Sequence, residues 1–376
     1  MNVRARTRAV QIGAHSRKAL CRATAAAARL AIPSQSRASI SSFGASHAPP
    51  TATTFGWASQ TSRSSSATPP VGMKRACGNG AAKARSVAGP PIVAPGTILG
   101  PMLGSVCDAV GLRSAPPIIA GATHDTGAAI AAIPGLDPQS VYISSGTWSL
   151  MGMELPAPVL SAAARSVNFT NEGGINGTIR LLKNIAGLWL LQECRRSWQR
   201  QGQSYTWEEL MALASNATPF VSIVNPDAAA FLNPDDMPSA IQFYCALHGI
   251  TVPQTPGAIV RCCLESLALR YRTVLDTLRD LTGQDIDTIR IVGGGSQNQL
   301  LNRFSADACN LPVVAGPVEA TALGNVLIQA LTIGAIPDLA TGRRIIAESF
   351  PPTVIEPSTD RAAWDAHLAG FVRLPR

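Results

Sequence analysis

Three polar residues able to do chemistry, His124, Asp125 and Thr126, come directly after the apolar segment at 116–120. In open α/β sheets ligands lie at strand ends, where backbone pairing stops and a helix begins. Asp125 therefore suits a catalytic carboxylate. Helix capping is the alternative, because Asp125 also precedes the small-residue run GAAIAAI, and an Asp before such a run accepts free backbone N–H groups.

A second polar turn follows in the stretch VYISSGTWSL, where a glycine with flanking hydroxyl groups separates two β-rich segments. Such a turn can direct backbone N–H groups and hydroxyls at an anionic oxygen. An acidic residue together with a turn of this kind favours phosphoryl transfer.

A third turn, VGGGSQN, stands between a predicted strand and a predicted helix. Glycines there allow close backbone approach, and a helix N-terminus favours negative charge, so a nucleotide would fit. The signal is weak alone, because the GxGxxG pattern and the P-loop pattern are both absent and many βα turns carry glycine for geometry.

The elements that must position these turns alternate between strands and helices. The pattern predicts an amphipathic segment at 99–110, a strand at 116–120 and a hairpin at 139–154. It continues with a helix from about 185 to 199, a capped helix at TWEELMALASNA, loops with one short helix at 218–256, and a long helix at 257–282. Strands at 287–293 and 312–315 alternate with helices at 299–309 and 320–332. This order predicts an α/β sheet.

Charge separates the first quarter of the chain from the rest. Residues 1–90 hold thirteen Lys or Arg and no acid, whereas the remainder holds 18 basic and 23 acidic residues. This extension is rich in Arg, Ala, Ser, Thr and Pro and lacks apolar periodicity, so we predict that it is disordered. A transit peptide and a basic arm for nucleic acid are the alternatives, and nucleic acid is the less favoured because no binding motif accompanies the charge.

The eight cysteines show no metal-binding spacing, and no secretory segment precedes them. We therefore expect a reduced, cytoplasmic protein with free thiols, and a pairing of Cys245 with Cys262 stays open. No apolar run approaches the roughly 20 residues that span a membrane.

The order of motifs resembles the carboxy-terminal half of the rhamnulokinases, members of the FGGY carbohydrate kinase family. The motifs are GATHDTGAA, YISSGTWSLMG, NFTNEGG, LLKNIAGLWLLQE, RCCLESLALRY, IVGGGSQNQLLN and GPVEATALGN. The resemblance covers about residues 91–357 and implies an actin-like or ribonuclease H-like ATPase fold that uses ATP and Mg²⁺.

The resemblance also implies a role for each matching residue. Asp125 corresponds to the catalytic base, and His124, Thr126 and Asn184 to sugar contacts. The implied nucleotide contacts are Thr147, Gln192, Gly293, Gly294, Gly295 and Asn298. No residue is predicted as a metal ligand.

The family has two similar domains, and the first begins with an Asp-x-Gly-x-[Ser/Thr] turn. This chain has no Asp or Glu before Asp108 and so lacks that turn. We predict an extension at 1–89, the last part of the amino-terminal domain at 90–134, the carboxy-terminal domain at 135–357 and a tail at 358–376. The expected function is phosphorylation of L-rhamnulose to L-rhamnulose 1-phosphate by ATP. A nucleotide-binding remnant with impaired catalysis is the alternative.

Overall fold

The computed structural model describes residues 92–122, 124–358 and 361–375. The predicted extension at 1–89 lies outside the described residues. Within these three ranges, no helix has both the length and the apolar character needed to cross a membrane.

One mixed sheet of seven strands forms the centre of the fold. The strands are β3 (Ser140–Ser145), β4 (Ser149–Leu155), β5 (Thr170–Gly173), β6 (Ile179–Ile185), β7 (Thr288–Val292), β8 (Val313–Ala315) and β9 (Thr353–Ile355). Their order across the sheet is β5-β6-β4-β3-β7-β8-β9. The β3–β7 and β7–β8 pairs are parallel, and the other pairs are antiparallel. The predicted hairpin and the predicted parallel strands are thereby confirmed.

Helices make up most of the remaining described chain. They are α1 (Gly104–Val110), α2 (Asp125–Ala131), α3 (Ala162–Ser166), α4 (Trp189–Arg200), α5 (Trp207–Asn216), α6 (Met237–Leu247), α7 (Pro256–Thr282), α8 (Gln299–Cys309), α9 (Ala320–Thr332), α10 (Leu339–Ser349) and α11 (Arg361–Val372). Both faces of the sheet are buried, because Val141 and Ile143 of β3 belong to one apolar cluster and Tyr142 between them belongs to another.

The long helix α7 begins and ends where its sequence predicts. Thr255 caps it by accepting from the backbone N–H of Ala258, and Gly283 ends it with a left-handed φ of 66°. One apolar side of the helix is buried, with exposures of 0 or 1% at Val260, Leu264, Leu267, Tyr271 and Leu275. The predicted long helix is confirmed, and it packs in the core.

The segment at 99–110 differs from its prediction as one amphipathic unit. A short strand, β1 (Ile98–Pro101), comes first and α1 follows. Leu103 and Val110 stay exposed at 71% and 58%. Pro101 cannot continue a helix that begins before it, which explains the division.

The strand predicted at 116–120 is present as β2 (Pro117–Ile119), but it pairs only with β1 in a separate antiparallel ribbon. The acidic turn after it therefore does not follow a strand of the main sheet. It reaches the sheet through α2, whose residues from Thr126 to Ala131 are all buried.

The helix predicted from about residue 185 begins later, at Trp189, because β6 continues to Ile185. The predicted capping box on α5 is present: the Thr206 side chain accepts from the Glu209 amide, and Glu209 accepts from the Thr206 amide. In the predicted tail, α11 packs on the core through Trp364 and Phe371, which are 4% and 5% exposed.

Candidate functional site

The acidic turn lies at the start of α2 and opens into a cleft of about 700 Å³. His124 occupies the N-cap position, which the capping alternative had given to Asp125, and its side chain accepts from the Thr126 amide at 3.2 Å. Asp125 is the first helical residue, and its Oδ1 atom accepts from the same amide at 2.7 Å. His124 Nδ1 lies 3.1 Å from Asp125 Oδ1, and both side chains are more than half exposed. The carboxylate is oriented by its neighbours and still faces the cleft.

The turn between β3 and β4 forms the next part of this cleft. The Gly146 amide donates to the Trp148 carbonyl at 2.9 Å, and the Trp189 amide donates to the Thr147 carbonyl at 2.9 Å. The Thr147 hydroxyl donates to Gln192 Oε1 at 3.0 Å. The first turn of α4 therefore holds the hairpin turn through both backbone and side chain.

Gly187 makes this contact possible. Its φ is 58°, and a Cβ atom at this position would stand 2.5 Å from the Trp148 carbonyl carbon and 2.7 Å from the Thr147 oxygen. Only glycine fits such an approach, because it accepts a left-handed φ and has no side chain to collide.

The glycine turn after β7 forms the wall of the cleft next to the parallel strands β3 and β7. A Cβ atom on Gly293 would lie 2.8 Å from the Ser145 carbonyl oxygen, and one on Gly295 would lie 2.0 Å from Ser145 Oγ. Gly294 has open space around it. Gly293 and Gly295 therefore allow the turn to pack closely against the end of β3, and the backbone of Gly294 stays accessible.

A second cavity, of about 810 Å³, continues from the first. Gly146 and Gly294 line both of them. The second cavity is lined further by Gln192, Gly295 and Asn298, and by apolar side chains that include Leu188 and Met211. Asn298 caps α8 by accepting from the Leu301 amide at 3.0 Å, so its amide nitrogen stays available.

The structure brings together every predicted site residue along this pair of cavities. His124, Asp125, Thr126, Thr147 and Asn184 line the first, with Gly293 and Gly294 at its junction with the second. Gln192, Gly295 and Asn298 line the second. The roles of these residues stay predictions.

Sequence reasoning missed three lining residues of the first cavity that follow β8: Val318, Glu319 and Thr321. They belong to the motif GPVEATALGN, which stands in a βα turn. Its position after a parallel strand beside the glycine turn was the signal that could have assigned it to the site.

The described fold, a mixed sheet with a polar cleft at the junction of two strand-to-helix turns, is that of a sugar kinase lobe. The chain belongs to the FGGY family of carbohydrate kinases, since residues 141–333, a little more than half of its length, match the model of that family's C-terminal domain.

Its relatives include rhamnulokinases. The one from Bacteroides thetaiotaomicron is 53% identical over 279 residues, which are 74% of this chain and 56% of the relative. The one from Pectobacterium atrosepticum is 46% identical and aligns over 65% of this chain and 49% of the relative. The chain thus spans about half the length of these rhamnulokinases.

Solved structures share the fold at low sequence identity. Gluconate kinase from Lactobacillus acidophilus superposes with a TM-score of 0.57 at 16% identity, over 75% of this chain and 56% of that one. Glycerol kinase from Plasmodium falciparum with ADP gives a TM-score of 0.53 at 15% identity, over 72% and 52% of the two chains.

Proposed function

We propose that these residues form the nucleotide lobe of an ATP-dependent kinase that phosphorylates L-rhamnulose to L-rhamnulose 1-phosphate. One observation carries the proposal: the cavity that contains the Asp125 carboxylate joins a larger cavity with both apolar and polar walls, and the glycines Gly146 and Gly294 line both of them. This arrangement suits an acceptor sugar in the first cavity, adenosine in the second and phosphates between them. The substrate is proposed from the rhamnulokinases among the relatives.

In the proposed reaction Asp125 takes the proton from the primary hydroxyl of the sugar. The sugar oxygen forms a bond to the γ-phosphorus of ATP as the bond from that phosphorus to the bridging oxygen breaks, and ADP leaves. Catalysis in such a transfer consists mainly of positioning and charge stabilisation. Thr147 would contact the transferred phosphoryl group, and Asn184 would bind a sugar hydroxyl.

The proposed nucleotide contacts have matching geometry. Gln192 uses its Oε1 atom for Thr147, which leaves its Nε2 donor for the nucleotide. Gly294 presents an open backbone, and Asn298 stands at the start of α8, where the helix dipole favours anionic groups.

The donor chemistry of the first cavity fits Mg²⁺ accompanying ATP. Its described lining residues include no Lys or Arg, so the phosphates would need another source of positive charge. Mg²⁺ prefers oxygen ligands and takes one or two carboxylates together with phosphate oxygens, so Asp125 would supply one of the donors. Bound there, the ion would neutralise the charge that develops during transfer.

A second candidate function is nucleotide binding without turnover. The exposure of the acidic turn favours it, because the Asp125 side chain is 76% exposed and an open acceptor site forfeits positioning. A cytoplasmic location is part of the proposal, supported by the six free thiols of the described chain, which a reducing compartment preserves.

The test combines a coupled assay of ADP release with L-rhamnulose and calorimetry with ADP on the full chain. Sugar-dependent ADP release supports the kinase. ADP binding without release supports the second candidate, and absence of both contradicts the two.

A further inference from the structure

Glu319 is a carboxylate in the first cavity to which the proposed mechanism gives no role. It occupies the N-cap position of α9, yet its side chain makes no capping hydrogen bond. Its side chain is exposed and forms no ion pair or hydrogen bond with any other described residue, while its backbone carbonyl accepts from the Leu323 amide at 3.0 Å. A carboxylate at this position commonly accepts from helix amides, so a free one is available to a ligand.

The neighbours of Glu319 place it between the glycine turn and the acidic turn. On one side the Gly293 amide donates to the Pro317 carbonyl at 3.2 Å. On the other side the Thr321 hydroxyl donates to the backbone oxygen of Asp125 at 3.4 Å. Glu319 therefore lies between the expected phosphate positions and the expected acceptor hydroxyl.

The start of α9 is also fixed relative to the segment that carries Asp125. Further along α9, Asn325 packs against Gly121, where a Cβ atom would stand 3.4 Å from Asn325 Oδ1. At the end of α9, Thr332 donates to the Gly96 carbonyl at 3.2 Å. These contacts run along the helix, so a rigid movement of α9 that withdrew Glu319 from the cleft would have to break them.

The charge at this position decides between possible ligands. A phosphate near Glu319 in the first cavity would be repelled, because the described lining of that cavity contains no Lys or Arg. Glu319 also lines a different cavity, and Arg303 lies on that one. A divalent cation between carboxylate and phosphate reverses the sign of the interaction, and Mg²⁺ is often held by phosphates and few carboxylates.

We propose that Glu319 is a positioning residue for the Mg²⁺ that accompanies the nucleotide, facing that ion directly or through a bound water. This inference rests on the proposed nucleotide site and adds a residue to it. A sugar contact by Glu319 is the competing role, and the experiment separates the two.

The experiment measures the affinity of the full chain for the ATP analogue AMP-PNP by calorimetry, in excess Mg²⁺ and in EDTA. The quantity of interest is the ratio of the dissociation constant in EDTA to that in Mg²⁺. Glu319→Gln keeps the size and removes the charge, so it should bind tighter than the native chain in EDTA and should lose part of the benefit of Mg²⁺. We expect the ratio to fall by about 5-fold, the effect of one charge interaction at about 4 Å in water.

Two variants serve as controls. Glu319→Asp keeps the carboxylate and should retain most of the ratio. Glu356→Gln removes an exposed carboxylate that lines neither cavity, and its ratio should equal that of the native chain. Thermal unfolding of each variant checks that the lobe is folded.

An unchanged ratio in Glu319→Gln overturns the inference, and weaker binding of L-rhamnulose by that variant with an unchanged ratio assigns Glu319 to the sugar instead. Failure of the native chain to bind AMP-PNP in either condition overturns the proposed function as well. Absence of sugar phosphorylation alone contradicts only the kinase proposal, since the ratio is measured without sugar.

Discussion

Gly324 of α9 lies directly against Ala128 of α2. A Cβ atom built on Gly324 would stand 1.7 Å from the Ala128 carbonyl oxygen, so the two helices touch through their backbones. Asp125 begins α2, and Thr321 at the start of α9 bonds its carbonyl. The position of the proposed base therefore depends on a contact that only glycine allows.

Gly324→Ala is expected to destabilise the protein by about 1–3 kcal/mol, because the added methyl group must push the helices apart. Thermal or urea unfolding measures the loss. Gly370→Ala is the matched control, since Gly370 is also helical and has no atom within 4 Å of its ideal Cβ position. We expect that variant to be neutral or stabilised by up to about 1 kcal/mol. Equal stability of the two variants would contradict the close contact.

Asp125→Asn is expected to lower sugar-dependent ADP release by about 10²-fold or more, because the amide cannot accept the proton. Sugar affinity should stay nearly unchanged, since the amide keeps the shape and one acceptor. Asp285→Asn, at an exposed site outside both cavities, is the control. Full activity in Asp125→Asn would leave this residue only its local contacts at the start of α2.

Gln192→Ala is expected to weaken ADP binding by about 5–10-fold, the effect of one lost hydrogen bond of about 1 kcal/mol. The substitution also frees Thr147, whose hydroxyl loses its acceptor. Gln199→Ala changes an exposed residue of the same helix and should bind ADP as the native chain does. Calorimetry compares the two, and equal affinities would remove Gln192 from the nucleotide site.

Stability should fall at alkaline pH through buried thiols. Burial raises the pKa of Cys309 to about 12 from its ordinary value of 9.0. The unfolded chain therefore loses this proton near pH 9 while the folded chain keeps it, so the stabilisation present below pH 9 is lost as pH rises toward 12. Urea unfolding between pH 8 and 11 tests this, and Cys309→Ala should flatten the dependence. A pH-independent midpoint in the native chain would contradict the prediction.

The same burial predicts slow alkylation. The pKa values of Cys262 and Cys263 are raised by thiol contacts with Cys245 and Cys194 and by burial. At pH 8 these thiols stay protonated and enclosed, so iodoacetamide should modify them only in urea. Peptide mass spectrometry compares the two conditions, and rapid native labelling would show that the core opens. The six cysteines within the described residues are free, and the Cys245 and Cys262 thiols, whose pairing the sequence left open, are in hydrogen-bond contact.

Hydrophobic periodicity was sufficient to predict the helices that follow β7 and β8. Helices α8 and α9 begin and end where predicted, because Asn298 caps the first and the strand–helix alternation around them is regular. It failed where strand and helix signals meet, at 99–110 and near 185, since short apolar segments suit either element. The packing of α2 against α9 was not foreseeable, because it joins segments about 200 residues apart.

The site residues were predicted from the motifs shared with the family more than from residue chemistry and hydrophobic periodicity. Asp125 alone had capping as a competing interpretation, and the glycine turn alone was weak. Glu319 was missed because a single acidic residue after a short strand has no periodic pattern. Its position in the cleft follows only from the contacts of its neighbours, Pro317 with Gly293 and Thr321 with Asp125.

Because α2 and α9 touch through their backbones, the spacing of the two helix starts does not depend on which other side chains line the cleft. The distance between the two helices is limited by contact between main-chain atoms, so substitutions of cleft side chains outside the two helices should leave it unchanged. Trp148, Leu150 and Val318 line the same cleft and belong to neither helix. We therefore expect substitutions at those three positions to change which sugar the proposed acceptor site prefers without changing the spacing of the two helix starts.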